Sequence, residues 1–363
     1  MRLVIKIGTS TLTLKDGLLN RKYIFSLAKH LSELQDDNHE IIIVSSGAVG
    51  AGQAKLGLLS RPKTTREKQA FAAVGQPLVM NAYSDAFLKY GKTVAQILLT
   101  REVFDKRTEY INARNTLNVL IQNKVVPIIN ENDTVSISEL NFGDNDTLAA
   151  LVASTIDADK LILFTDVDGF YRGNLATSEL IHKIDKITED IESYATSGSS
   201  SGKGTGGMKT KITAAKIATA SGVDTVITNG LKLNLLKNII SDCQVGTVIK
   251  AKKQCLQAKK SWIAFSKKSK GTIFVDTKAA DILLNKGKSL LSAGIVKITG
   301  PFHRGDTVNI ANIETKKDFA RGLTNYDSSV IEKIKGKKTI DIKKIMDIEE
   351  DEIIHRDNLV LLQ

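Results

Sequence analysis

Up to about residue 250, short apolar runs alternate with stretches of helical periodicity. The runs "RLVIKI", "EIIIVSS", "TVAQILLT", "KVVPIIN", "KLILFTD" and "VDTVIT" are rich in Val, Ile and Leu with little polar alternation. That pattern predicts strands covered on both faces. Between them, apolar positions recur at helical spacing over residues 23–34, 67–90, 112–123 and 147–156. This βαβα rhythm predicts an α/β fold, a three-layer αβα sandwich around a largely parallel sheet. In such sheets, ligands bind beyond the carboxyl ends of the strands.

From residue 271 the pattern changes. The short runs "GTIFVD", "GIVKITG", "DTVNIAN" and "NLVLLQ" surround a helical "TKAADILLNKG", which predicts a small β-rich module. The chain therefore divides into residues 1–255, a Lys-rich connector at 256–270 around Trp262, and a β-rich domain at 271–363. Trp262 reads as a packing anchor rather than a base-stacking platform.

The formal net charge is +11, unevenly spread: residues 251–363 carry 22 Lys and Arg against 14 Asp and Glu. A basic face attracts nucleic acid, but a solvated Lys-rich surface is the commoner meaning, so RNA binding stays an open alternative. Cys243 and Cys255 form neither a C-x-x-C pair nor a metal-spaced set, and two thiols in 363 residues fit a reducing compartment. No apolar run reaches the length needed to cross a bilayer, and "RLVIKI" begins the strand pattern at once. The expectation is a cytoplasmic protein with no membrane partner.

The stretch "SGKGTGGMKTKITAAK", residues 201–216, is compatible with either a linker or a phosphate cradle. Gly202, Gly204 and Gly207 fit G-x-G-x-x-G, yet no buried strand precedes them, and Met208 breaks the P-loop spacing. What remains is a loop opening a helix at Met208 that ends at Ser221-Gly222. Backbone N–H groups at that helix start suit an anion, and Lys209 and Lys211 add positive charge.

The strand ends carry the other candidate chemistry. Lys6 closes the first run and leads into "IGTS", where small residues let a backbone approach a ligand. Ser45-Ser46-Gly47-Ala48 follows the second. After "VVPII" come Asn130, Glu131, Asn132 and Asp133, then Asp144, Asn145 and Asp146; "KLILF" delivers Thr165-Asp166 and Asp168-Gly169. Acids and amides are common in turns and helix caps, but two such clusters in one segment favour a polar site.

Taken in order, "KIGTS", "SSGAVGAG", "INENDTV", "GDNDTLAA", "FTDVDGFY" and "GTGGMKTK" resemble the amino acid kinase family, in particular its glutamate-phosphorylating branch. Residues 271–363 resemble a PUA domain. The resemblance implies ATP and Mg²⁺ as cofactors and L-glutamate as substrate. It further implies Lys6, Lys211 and Asp146 as the catalytic set, with Asp144 supporting it. Ser46, Asp133 and Asn145 would hold glutamate. Gly8, Thr9, Thr165, Asp166 and the loop residues Thr205, Gly206, Gly207, Met208, Lys209, Thr210 and Lys211, with Lys6, would meet the nucleotide. It implies no protein-held metal. As partners it implies proline as feedback inhibitor, a homo-oligomer, and a glutamyl phosphate reductase to take the product.

These residue types suit that reaction. A side-chain carboxylate has an ordinary pKa near 4.3 and is already ionised at neutral pH, so it needs no general base. The obstacle is repulsion between two anions, which calls for alignment and positive charge rather than proton transfer. Sister kinases acting on acetylglutamate, aspartate, carbamate or nucleoside monophosphates share the phosphate-handling residues. "NEND" and "GDND" favour a substrate with a free ammonium group. A PUA-bearing RNA-binding regulator on an inactive kinase scaffold is the alternative from another class.

Overall fold

The structure is a computed structural model that describes residues 1–14, 16–58, 62–136, 145–172, 179–197, 207–241, 244–251, 263, 269–337, 339–342 and 351–362. It contains two compact units, Met1–Cys255 and Leu256–Gln363.

In the first unit the strands are β1 (Arg2–Lys6), β2 (Glu40–Val44), β3 (Val94–Leu99), β4 (Val126–Glu131), β5 (Lys160–Thr165), β6 (Phe170–Tyr171), β7 (Leu180–Ile181), β8 (Lys183–Ile184), β9 (Asp224–Asn229) and β10 (Thr247–Ile249). The helices are α1 (Thr9–Leu12), α2 (Arg21–Asp36), α3 (Ala48–Lys55), α4 (Thr65–Leu88), α5 (Arg101–Asp105), α6 (Arg107–Gln122), α7 (Asn145–Thr155), α8 (Glu189–Ser197), α9 (Met208–Ala220) and α10 (Leu236–Ile240). Eight strands form one sheet in the order β3-β4-β2-β1-β5-β9-β10-β8. Its pairings are parallel except β9 with β10.

The central strands match the apolar runs because they are buried on both faces, as Leu3, Val4, Ile5, Ile42, Ile43, Ile162 and Leu163 are at 0% exposure. "TVAQILLT" departs from that rule: β3 is an edge strand and mostly half-buried. The short β8 and β10 carry too few apolar residues to stand out in the sequence.

Helix α4 begins with a capping box, Thr64 accepting from the Glu67 N–H while Glu67 reaches back to the Thr64 N–H. It then crosses α3 at very close range. A Cβ on Gly52 would lie 1.8 Å from the Phe71 carbonyl oxygen, and one on Gly75 would lie 1.8 Å from that of Ala48. Only glycine permits this approach. Helix α7 is buried almost all round, as its sequence "TLAALVAS" requires.

The second unit holds a five-stranded sheet, β11 (Gly271–Val275), β12 (Ile295–Thr299), β13 (Thr307–Asn312), β14 (Asp318–Leu323) and β15 (Leu359–Leu361), in the order β12-β11-β13-β14-β15. Its own core includes Ile273, Phe302, Val308, Ile310 and Ile354. Strand β14, "DFARGL", escapes the sequence pattern because its two buried residues, Ala320 and Gly322, are small. Among the described residues no helix is long and apolar enough to cross a membrane.

Candidate active site

Strand β1 delivers Lys6 to the carboxyl edge of the sheet, and α7 begins nearby with Asn145 and Asp146. Asp146 is fully buried. Its Oδ1 lies 2.8 Å from Lys6 Nζ and its Oδ2 lies 3.0 Å from Lys211 Nζ, on the first turn of α9. Thr210 Oγ1 also donates to Oδ2 at 2.8 Å. Burial alone would push the Asp146 carboxyl up, but the two ammonium groups outweigh it and hold the pKa down to about 2. One carboxylate between two cations leaves a net positive, water-poor point, which suits a polyanion.

The neighbouring residue anchors a second network. Asn145 Nδ2 donates to the Ser45 carbonyl oxygen at 2.7 Å and to Ser46 Oγ and Asn130 Oδ1 at 2.9 Å each. These bonds use the Asn145 side-chain N–H groups, so a donating ligand would meet its carbonyl oxygen. Asn130 in turn accepts from the Glu131 N–H at 2.9 Å and donates to Gln76 Oε1 at 2.9 Å. Ser45 Oγ meets the Tyr83 hydroxyl at 3.1 Å. The turn from β2 into α3 is possible because Gly47 takes a φ of 94°, in the left-handed region.

Asp133 follows β4 and is half-buried. Burial first, then the Glu131 charge, push its pKa up to about 6, against the pull of Lys68. Glu131 itself accepts from Ser136 Oγ at 2.8 Å.

Thr165 ends β5 and Asp166 follows it, joined by a 3.1 Å hydrogen bond from Thr165 Oγ1 to Asp166 Oδ1. Beside them, Asp168 accepts from Asn229 Nδ2 at 3.1 Å and pairs with Lys232 Nζ at 2.7 Å. At the start of α9, Gly207 caps the helix with no side-chain bond, and Lys209 is exposed. Gly8 and Thr9 open α1, immediately after β1.

The structure joins Lys6, Asp146, Thr210 and Lys211 in one cluster, Asn145 and Ser46 in a second, and Thr165 with Asp166 in a third. Asp144, Thr205, Gly206, Trp262, Cys243 and Cys255 lie outside the described residues. Gln76 and Tyr83 were not singled out by sequence; a polar residue inside the run "AAVGQPLV" is the only signal for Gln76. The cluster of Asn229 and Lys232 on Asp168 also escaped, since those residues are far apart in the chain.

Residues 1–229 match the amino acid kinase family. The chain belongs to the amino acid kinase family. Residues 271–346 match the PUA domain. The kinase-family chain is 46% identical over 370 residues to the glutamate 5-kinase of Thermoanaerobacter sp. (strain X514), covering 100% of this chain and 98% of that protein. It is 44% identical over 365 residues to the glutamate 5-kinase of Moorella thermoacetica, covering 99% and 96%. Among solved structures, carbamate kinase from Giardia lamblia bound to AMP-PNP superposes with a TM-score of 0.50 at 20% identity, over 69% of this chain and 98% of that one. That likeness is one of fold.

Proposed function

We propose that this protein transfers the γ-phosphoryl group of ATP to the side-chain carboxylate of L-glutamate, giving L-glutamyl 5-phosphate for proline biosynthesis. The observation that carries the reading is Asp146 held between Lys6 and Lys211, one residue from an amide network that ends at Ser46. The full-length likeness to glutamate 5-kinases supports the choice of substrate.

In this reading a glutamate carboxylate oxygen attacks the γ-phosphorus while the bond to the β,γ-bridging oxygen breaks, and ADP leaves with that electron pair. No proton moves. This agrees with the motifs, which contain no histidine: His30, His39, His182, His303 and His355 all lie outside them. Lys6 and Lys211 neutralise charge on the transferred group, with Asp146 fixing both ammonium positions. Gly8, Thr9, Thr165, Asp166, Gly207, Met208, Lys209 and Thr210 hold the nucleotide. Asp133 and the Asn145 carbonyl oxygen accept from the substrate ammonium, and Ser46 completes that pocket.

Asp146 is committed to two ammonium groups and a hydroxyl, and among the described residues no three acidic, His or Cys side chains converge as metal ligands. A Mg²⁺ carried on the ATP phosphates would supply charge neutralisation beside this cluster. Proline as feedback inhibitor, self-association, and hand-over of product to a reductase belong to the same reading.

Hydroxylamine trapping of the acyl phosphate, with ATP, Mg²⁺ and a panel of glutamate, aspartate and N-acetylglutamate, tests it. Hydroxamate with glutamate alone is expected. Turnover of either other acid in preference to glutamate would reject the reading.

A further inference from the structure

Gln76 sits in the middle of α4, and Gly75 beside it touches the Ala48 backbone at the start of α3. It is 8% exposed and spends its side-chain carbonyl on Asn130 Nδ2 at 2.9 Å. Its own Nε2 is buried without a hydrogen-bond partner among the described residues. A buried donor left unmade costs about 1–3 kcal/mol, so glutamine is a poor choice for stability at this position. An apolar side chain of the same length would remove that orphan but leave the buried Asn130 Nδ2 without its acceptor.

What glutamine supplies is an acceptor for Asn130. Asn130 is 3% exposed and joins three elements: its Oδ1 takes the Glu131 N–H and Asn145 Nδ2, while its Nδ2 reaches α4. Without the bond to Gln76, the amide plane loses its third anchor and the oxygen is free to turn out of line with Asn145. We propose that Gln76 is a positioning residue for the glutamate site, pinning Asn130 so that Asn130 holds Asn145 in the orientation that receives the substrate. The inference rests on the reading of Asn145 as a glutamate contact. Among the described residues, the nucleotide groups around Thr165 and Gly207 share no bond with Gln76, so the effect is expected on the acceptor substrate.

The test uses the full-length enzyme, with wild-type turnover of glutamate measured first; its absence would reject the proposed function itself. In active enzyme, Gln76→Met should raise KM for glutamate about tenfold or more while KM for ATP stays within about twofold. Its melting temperature should stay close to the native one, because the orphan Nε2 donor is gone while the buried Asn130 Nδ2 loses its acceptor. Gln76→Glu keeps an oxygen facing Asn130 and should restore most of the glutamate affinity. In an Asn130→Ala background, Gln76→Met should add nothing further, since it acts through Asn130. An unchanged glutamate KM, equal changes in both KM values, additive losses with Asn130→Ala, or a Gln76→Met chain that does not fold would each overturn the inference.

Discussion

Lys6 Nζ lies 2.8 Å from Asp146 Oδ1, although one residue closes the first strand and the other lies in the first turn of α7. Both are buried, so the ion pair exists at full strength only because Lys211 balances it from α9. Removing the carboxylate leaves two ammonium groups facing each other out of water. Asp146→Asn should abolish measurable turnover and lower stability by about 3–5 kcal/mol at pH 7. Its folded pKa of about 2 lies below the unfolded value, so this contribution is complete above about pH 4 and fades as the pH falls towards 2. Thermal melts of both proteins across pH 2.5–7 check the window; a difference that grows in acid would be the wrong sign.

Lys211 should act on the transition state rather than on substrate binding. Lys211→Ala is expected to lower kcat by about 10²-fold or more with little change in KM for glutamate. Steady-state kinetics in both substrates decide it, and near-native turnover would remove Lys211 from the catalytic set.

Asp133 offers a different split between stability and function. Its pKa is raised to about 6, so the folded chain binds this proton more tightly than the unfolded one, and stability falls as pH rises from about 4 through 6. Asp133→Asn removes that penalty: a higher melting temperature is expected at pH 7.5 and no gain at pH 4. The same change should raise KM for glutamate and leave KM for ATP alone. A variant less stable at pH 7.5 would make Asp133 a structural cap.

The α3–α4 contact tolerates no side chain at its centre. Gly75→Ala places a methyl group against the Ala48 carbonyl, and the strain should cost about 1–3 kcal/mol. Because α3 starts just after Ser46, glutamate KM should rise with it. Denaturant melts and kinetics on one preparation test both effects.

A chain ending near residue 260 should fold and still phosphorylate glutamate, because every residue assigned a role in catalysis lies before residue 212. Circular dichroism separates misfolding from a catalytic loss. A folded, ATP-binding truncation that makes no glutamyl phosphate would place part of the active site in the second unit.

The central sheet was legible in the sequence because "RLVIKI", "EIIIVSS", "KVVPIIN" and "KLILFTD" are apolar on both faces, and burial on both sides demands that. The same runs pointed to the candidate site, since each ends in a short polar segment at its carboxyl terminus, and the local motif order pointed to the family. The helix opening at Met208 could also be read locally, from its Ala-rich continuation after a glycine loop. What sequence could not give was which charges meet. Lys6, Asp146 and Lys211 stand in segments that look alike as turns and caps, and only the adjacency of β1, α7 and α9 turns them into one buried cluster. Gln76 and Tyr83 show this most plainly: they sit mid-helix with no motif around them, and their partners Asn130 and Ser45 belong to different strand ends. Hydrophobic periodicity is a local property and survives in the sequence. Hydrogen-bond partnership and the desolvation that sets pKa depend on elements brought together by packing, so the tertiary structure alone decides them.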